Sequence, residues 1–123
     1  MKNKTILIIE DSPEMRENTA EILSLGPYDI VVAKDGKEGI DMIIKNHPDL
    51  IICDVIMPEM DGFDVLRSIG DMIKRDHIPF IFLTARSEKS DVKTGIELGA
   101  SDYLVKPFRG DELLRIVNMK LCA

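Results

Sequence analysis

Short runs of apolar residues alternate along the chain with longer segments in which apolar residues recur every three or four positions. The short runs are rich in β-branched residues and end in charge, glycine or proline, which is typical of strands buried on both faces. The longer segments have the period of amphipathic helices. Because strand and helix alternate five times, the pattern predicts an α/β fold: a doubly wound, five-stranded parallel sheet with helices on both faces. The predicted strands are residues 5–9, 28–33, 49–54, 79–83 and 102–105.

Capping residues mark where the helices begin. Ser12 is followed by a proline, the combination expected at the cap and first position of a helix. Asp35 with Glu38, and Asp61 with Asp64, have the spacing of a cap and its reciprocal partner. The predicted apolar face of the helix that follows Asp35 consists of Ile40, Ile43 and Ile44.

The predicted helix from Ser87 to Leu98 contains little apolar surface, and Gly99 ends it. Val92 and Ile96 are its expected large anchors. A helix with so few anchors should be the one most weakly attached to the sheet.

Composition narrows the function classes. The 123 residues carry 22 acidic and 16 basic side chains, a net charge of -6, which argues against direct binding of nucleic acid. Cys53, inside a predicted strand, and Cys122 do not make a plausible disulfide framework. Neither a signal-peptide pattern nor an apolar run long enough to cross a bilayer is present. We therefore expect one domain over residues 1–123, cytoplasmic and independent of membranes.

Polar side chains follow the carboxyl ends of four predicted strands. They are Glu10 with Asp11, Asp54, Thr84 and Lys106. Ligands of open parallel sheets bind beyond these ends, so the side chains meet if the strands are neighbours. Clustered carboxylates repel unless a cation or a proton neutralises them, and all-oxygen ligation suits Mg²⁺.

The remaining groups fit phosphate chemistry. A lysine ammonium and a threonine hydroxyl suit phosphoryl oxygens, and a carboxylate can itself carry a phosphoryl group. Each group alone also has an ordinary structural role; Glu10 and Asp11 could simply be anions at a helix N-terminus. Their coincidence at four strand ends indicates a phosphate site around a carboxylate nucleophile.

Several motifs together resemble the receiver domain of bacterial two-component response regulators, over essentially the whole chain. They are Ile6 to Asp11, Asp54 with Met57-Pro58 and Asp61-Gly62, Thr84-Ala85, and Gly99 to Phe108. The resemblance implies the flavodoxin-like strand order 2-1-3-4-5. It also implies that Asp54 accepts a phosphoryl group from a phosphohistidine of a sensor histidine kinase or a histidine phosphotransfer protein.

The same resemblance assigns the other site residues. Glu10, Asp11, Asp54 and the backbone carbonyl of Ile56 would bind Mg²⁺. Thr84 and Lys106 would bind phosphoryl oxygens. Glu10 stands where aspartate is frequent, and its extra methylene would shift ligation toward a water-bridged contact.

Thr84 and Tyr103 would form the switch, with Tyr103 turning from an exposed to a buried rotamer. The partner-binding face would comprise the helix from Ser87 to Leu98, the Tyr103 strand and the helix from Asp111 to Leu121. An output domain or downstream protein would bind there, and a phosphorylation-dependent homodimer is a further expectation. The Lys106–Pro107 bond is predicted to be cis, so that the lysine points back into the site.

Two other function classes stay open. A small phosphatase or phosphotransferase could use an aspartyl-phosphate intermediate, but haloacid-dehalogenase-like enzymes need an acid where Ile56 stands, and a cap insertion that is absent. A phosphorylation-independent interaction module would not need Asp54, Thr84 and Lys106. A flavin domain is disfavoured because Glu10 and Asp11 would repel its phosphate. We therefore expect a phosphoacceptor, with at most self-catalysed phosphorylation and slow autodephosphorylation, rather than an enzyme.

Overall fold

Strands and helices alternate throughout residues 3–122, the part of the chain that the computed structural model describes. The strands are β1 (Lys4–Ile9), β2 (Tyr28–Ala33), β3 (Leu50–Cys53), β4 (Phe80–Thr84) and β5 (Asp102–Val105). The helices are α1 (Pro13–Leu23), α2 (Gly36–Asn46), α3 (Gly62–Asp76), α4 (Lys89–Glu97) and α5 (Gly110–Leu121). The predicted α/β fold is therefore confirmed.

The five strands form one parallel sheet in the order β2-β1-β3-β4-β5, as the resemblance implies. The register fixes where the strands end. Ile9 pairs with Cys53, and Cys53 pairs with Phe82, so β1 and β3 end at the same level and β4 continues two residues further, to Thr84. Because the strands are parallel, the residues at and just after their carboxyl ends lie at the same edge of the sheet.

Apolar side chains cover both faces of the sheet, because successive residues of a strand point to opposite sides. One face packs against α2 and α3, and against α4 through Gly95, which lies beside Phe82; the other packs against α1 and α5. The first cluster includes Leu7, Ile9, Ile51, Cys53, Phe80 and Phe82, and the second Ile6, Ile8, Leu50, Ile52, Ile81 and Leu83. Continuous apolar strands are thus explained by burial on two sides.

The predicted caps are also present. The Ser12 hydroxyl accepts a hydrogen bond from the Met15 N–H, and the Asp35 carboxylate accepts one from the Glu38 N–H. Asp61 and Asp64 form a reciprocal capping box at the start of α3. Within residues 3–122, no helix combines the length and the apolar character needed to cross a membrane.

Two predictions about helix faces are wrong. Ile44 of α2 is 55% exposed and Ile96 of α4 is 48% exposed, so neither anchors its helix. In α4 the residue that meets the sheet is Gly95, whose missing side chain leaves room for the rings of Phe82 and Tyr103. The helix is also shorter than the predicted span of residues 87–98, and the side chain of its N-cap residue makes no capping hydrogen bond.

Candidate functional site

An acidic cluster lies at the carboxyl edge of the sheet. Glu10 and Asp11 follow β1 and Asp54 follows β3, and one carboxylate oxygen from each lies within 4.8 Å of the others. Glu10 and Asp54 are buried, whereas Asp11 is exposed. The cluster arises because the Asp54 N–H donates to the Ile9 carbonyl at 3.1 Å, which continues the pairing of β1 with β3 past the last strand residues.

Lys106 contacts both of the buried acids. Its ammonium donates to Glu10 Oε1 at 2.9 Å and to Asp54 Oδ2 at 3.1 Å. Lys106 follows β5, two strands away from β3, and its side chain is 16% exposed. The Lys106–Pro107 peptide bond is cis, as predicted from the sequence.

The titration of these groups reflects their burial and mutual contact. Burial raises the pKa of Glu10 to about 7; the hydrogen bond from Lys106 opposes this rise and the charge of Asp54 adds to it. Burial lowers the pKa of Lys106, but hydrogen bonds and charges from Glu10 and Asp54 outweigh that effect and raise it overall. The ammonium is therefore held charged between the two acids.

The loop after β3 holds Asp54 from the other side. The N–H of Ile56 donates to Asp54 Oδ1 at 3.0 Å. The loop is tied to the start of α3 by the Gly62 N–H, which donates to the Val55 carbonyl at 2.9 Å. A Cβ atom on Gly62 would lie 2.3 Å from the Asp54 carbonyl oxygen, so only glycine allows this approach.

Thr84 is the last residue of β4, the strand next to β3, and it is fully buried. Its hydroxyl accepts a hydrogen bond from the Arg86 N–H at 3.3 Å. The carbonyl of Arg86 accepts a hydrogen bond from the Tyr103 hydroxyl at 2.8 Å. Thr84 and Tyr103 are thus linked through one loop residue, Arg86, whose guanidinium pairs with Asp91 of α4 at 3.0 Å.

The structure brings together most of the residues that the sequence singled out. Glu10, Asp11, Asp54 and Lys106 form one contact group, and the Ile56 backbone borders it. Tyr103 is half-buried, with its ring 5.7 Å from that of Phe82, rather than exposed. Sequence reasoning missed Arg86, because its contribution comes from backbone groups that every residue type except proline supplies.

The donor set suits a hard cation. Three carboxylates offer only oxygen atoms, two of them buried and one open to solvent, where coordinating water has room. Mg²⁺ prefers such oxygen ligands and keeps several waters. His47 and His77 are exposed at the C-caps of α2 and α3, away from the cluster. The residues present therefore fit Mg²⁺ better than a metal that prefers nitrogen or sulfur ligands.

Comparison with known proteins gives one consistent family. The family described as "Response regulator receiver domain" matches residues 6–118. The chain is 42% identical over 112 residues to the response regulator MprA of Mycobacterium sp. (strain KMS), covering 89% of this chain and 46% of that protein. It therefore spans about half the length of the curated relatives it matches.

Solved structures agree. A putative response regulator from Chloroflexus aurantiacus superimposes with a TM-score of 0.91 at 34% identity, covering 99% of this chain and 100% of the other. The chemotaxis protein CheY4 of Vibrio cholerae superimposes with a TM-score of 0.89 at 29% identity, covering 98% and 100% of the two chains.

Proposed function

The chain belongs to the response regulator receiver family of two-component signalling, and we propose that Asp54 is its phosphoacceptor. The donor is a phosphohistidine of a sensor histidine kinase or a histidine phosphotransfer protein. The observation that carries the proposal is the position of Asp54, buried at the end of the central strand and contacted by Lys106, with two further acids beside it.

The reaction is a simple displacement. An Asp54 carboxylate oxygen attacks phosphorus, the new O–P bond forms as the P–N bond to the donor breaks, and the released imidazole nitrogen keeps the electron pair. The Lys106 ammonium lies 3.1 Å from Asp54 Oδ2. It can therefore donate a hydrogen bond to a phosphoryl oxygen once Asp54 is phosphorylated. Thr84, at the end of the adjacent strand, offers a hydroxyl for a second phosphoryl oxygen.

Glu10, Asp11, Asp54 and the backbone carbonyl of Ile56 would hold Mg²⁺. When bound, the ion neutralises charge on the transferring phosphoryl group. Without a cation, the negative charges of Glu10 and Asp11 would repel the incoming phosphoryl group. We therefore expect the protein to be phosphorylated in its Mg²⁺-bound form.

The signal would leave through Thr84 and Tyr103. A phosphoryl oxygen would accept the Thr84 O–H, and by drawing the hydroxyl toward Asp54 it would stretch the hydrogen bond that this hydroxyl accepts from the Arg86 N–H. The Arg86 carbonyl is in turn the acceptor of the Tyr103 hydroxyl. The face formed by α4, β5 and α5 would then change its affinity for an output domain, a downstream protein or a second copy of this chain. We expect this domain to work in the cytoplasm as one unit over residues 1–123, without nucleic-acid or membrane contact of its own.

On this proposal the chain is a signalling domain and does not act as an enzyme on an external phosphoester. Ile56 occupies the position where an aspartyl-phosphate phosphatase would need an acid, and its side chain is apolar and half-exposed. Phosphoryl gain should consequently be stoichiometric, with slow self-catalysed loss.

Intact mass spectrometry tests the proposal. With a small phosphodonor and Mg²⁺, the mass should rise by one phosphoryl group, and Asp54→Asn should prevent the gain. Asp71→Asn, an exposed acid of α3, is the matched control and should be phosphorylated normally. If Asp54→Asn gained the same mass, Asp54 would not be the phosphoacceptor. Catalytic turnover of a small phosphoester would instead indicate an enzyme that uses an aspartyl-phosphate intermediate.

A further inference from the structure

Arg16 reaches back from α1 to the loop that carries the acidic pair. Its Nη1 donates to the carbonyl oxygen of Glu10 at 2.9 Å, and the contact is partly buried. Arg16 lies three residues after Pro13, the first residue of α1. A cation near a helix N-terminus opposes the helix dipole, so this position is not explained by the stability of the helix.

The exposed member of the acidic pair depends on this loop for its position. Among residues 3–122, no side chain or N–H group donates a hydrogen bond to the Asp11 carboxylate. The residues on either side of it, Glu10 and Ser12, are fixed by hydrogen bonds. The Glu10 N–H donates to the Ala33 carbonyl at 3.1 Å, and the Ser12 N–H donates to Glu10 Oε2 at 3.3 Å. Arg16 supplies the remaining restraint, on the peptide group that joins Glu10 to Asp11.

We infer that Arg16 is a positioning residue for the cation site: its bond to the Glu10 carbonyl orients the Glu10–Asp11 peptide so that Asp11 faces Glu10 and Asp54. The inference rests on the proposed function, since it concerns Mg²⁺ at that acidic cluster. Partners that orient metal ligands without touching the metal commonly change metal affinity on the order of 10- to 100-fold when they are removed.

Charge and geometry make opposite predictions for this residue. By Coulomb's law alone, removing a positive charge near the acids should tighten the binding of a cation. By positioning, removing the hydrogen bond should weaken it, because Asp11 then samples orientations that do not meet the other two carboxylates. The sign of the change therefore identifies the mechanism.

The experiment measures Mg²⁺ affinity by calorimetry for the wild type, Arg16→Met, Arg16→Lys and Arg67→Met. Arg16→Met should weaken affinity on the order of ten-fold, and Arg16→Lys, which keeps a donor, should recover part of the loss. Arg67 pairs with Asp64 on the exposed side of α3, so Arg67→Met should bind like the wild type. Unchanged or tighter binding by Arg16→Met would overturn the inference.

Amide exchange of the metal-free protein distinguishes a local role of Arg16 in positioning Asp11 from a general loss of stability. In the metal-free protein, Arg16→Met should speed amide exchange at Ser12, whose N–H is hydrogen-bonded to Glu10 Oε2, but not in β3, and Arg16→Lys should restore protection. Faster exchange throughout the sheet would mean a structural role and overturn the inference. Asp11→Asn tests the site itself: if it binds Mg²⁺ like the wild type, the proposed metal site fails, whereas its failure to bind together with normal binding by Arg16→Met overturns only the role of Arg16.

Discussion

Lys106 donates a hydrogen bond to Glu10 at 2.9 Å and so joins the end of β5 to the end of β1 across the carboxyl edge of the sheet. The same ammonium contacts Asp54, and the side chains of all three residues are at most 16% exposed. If this ammonium were removed, two buried carboxylates would face each other without the cation that now contacts them both. Lys106 is thus an internal counter-ion as well as the expected ligand of a phosphoryl oxygen.

Lys106→Met should therefore destabilise the metal-free protein on the order of 2–4 kcal/mol, because removing one partner of a buried ion pair leaves the other uncompensated. Urea unfolding in the presence of a chelator measures this free energy. Arg67→Met, which breaks an exposed pair with Asp64, should cost less than about 1 kcal/mol. An equal loss in the two variants would show that the Lys106 contacts contribute no more than a surface pair.

Mg²⁺ should stabilise the fold, because clustered carboxylates without a cation repel each other. At a free concentration of about ten times the dissociation constant, mass action adds about 1.4 kcal/mol to the free energy of unfolding. Thermal melts with and without Mg²⁺ measure the effect. Asp11→Asn should abolish most of the shift while Asp71→Asn keeps it, and a shift that survives in Asp11→Asn would locate the ion elsewhere.

The sequence predicts the five strands well because burial on two faces leaves a continuous apolar run whatever the neighbouring strands are. It predicts the face of α4 poorly. In a nine-residue helix with few apolar residues, periodicity does not define a side, and Gly95 meets the sheet while Ile96 points outward. The contacts of Arg16 with Glu10 and of Arg86 with Thr84 and Tyr103 could not be predicted for another reason: one partner in each is a backbone group, and backbone groups are the same in nearly every residue type.

A pair of glycines tests the packing of α4. A Cβ atom added to Gly70 in α3 would have no neighbour within 4 Å among residues 3–122, so Gly70→Ala should stabilise the protein by about 0.5–1 kcal/mol. A Cβ on Gly95 would lie 3.0 Å from the Tyr103 ring and 3.1 Å from that of Phe82, which is fully buried. Gly95→Ala should therefore lose that gain and cost about 1 kcal/mol or more in urea unfolding. An equal gain in both variants would mean that α4 moves away freely.

The Tyr103 hydroxyl should ionise at a higher pH than an ordinary tyrosine, and its ionisation should lower the free energy of unfolding at high pH. Burial, chiefly, raises its pKa from 10.0 to about 12. Because the folded pKa is the higher one, the contribution of Tyr103 to stability is complete below about 10 and is lost as pH rises through about 12. Absorbance titration of phenolate in Tyr28→Phe isolates Tyr103, and Tyr103→Phe removes its step. A step at the ordinary tyrosine pKa would mean that the ring is solvated.

The route from the site to α4 can be tested through the hydroxyl of Thr84. This hydroxyl accepts the Arg86 N–H, and the Arg86 carbonyl accepts the Tyr103 hydroxyl, so a ligand that draws Thr84 toward Asp54 strains one short chain of hydrogen bonds. The helix beside this chain, α4, is joined to it by the ion pair of Arg86 with Asp91 and is weakly held, since its N-cap side chain makes no hydrogen bond and Ile96 is exposed. Local opening should consequently be easiest there.

Amide exchange with and without a beryllofluoride mimic of the phosphoryl group measures the response. Protection should change across residues 84–103, and only as far as the mimic binds the second arrangement more tightly than the first. Thr84→Ala should blunt the change because it removes the hydroxyl, whereas Thr84→Ser keeps the hydroxyl and should preserve it. If both variants respond like the wild type, or if changes stay in the loops of Glu10, Asp54 and Lys106, the signal leaves the site by a path that does not include Thr84.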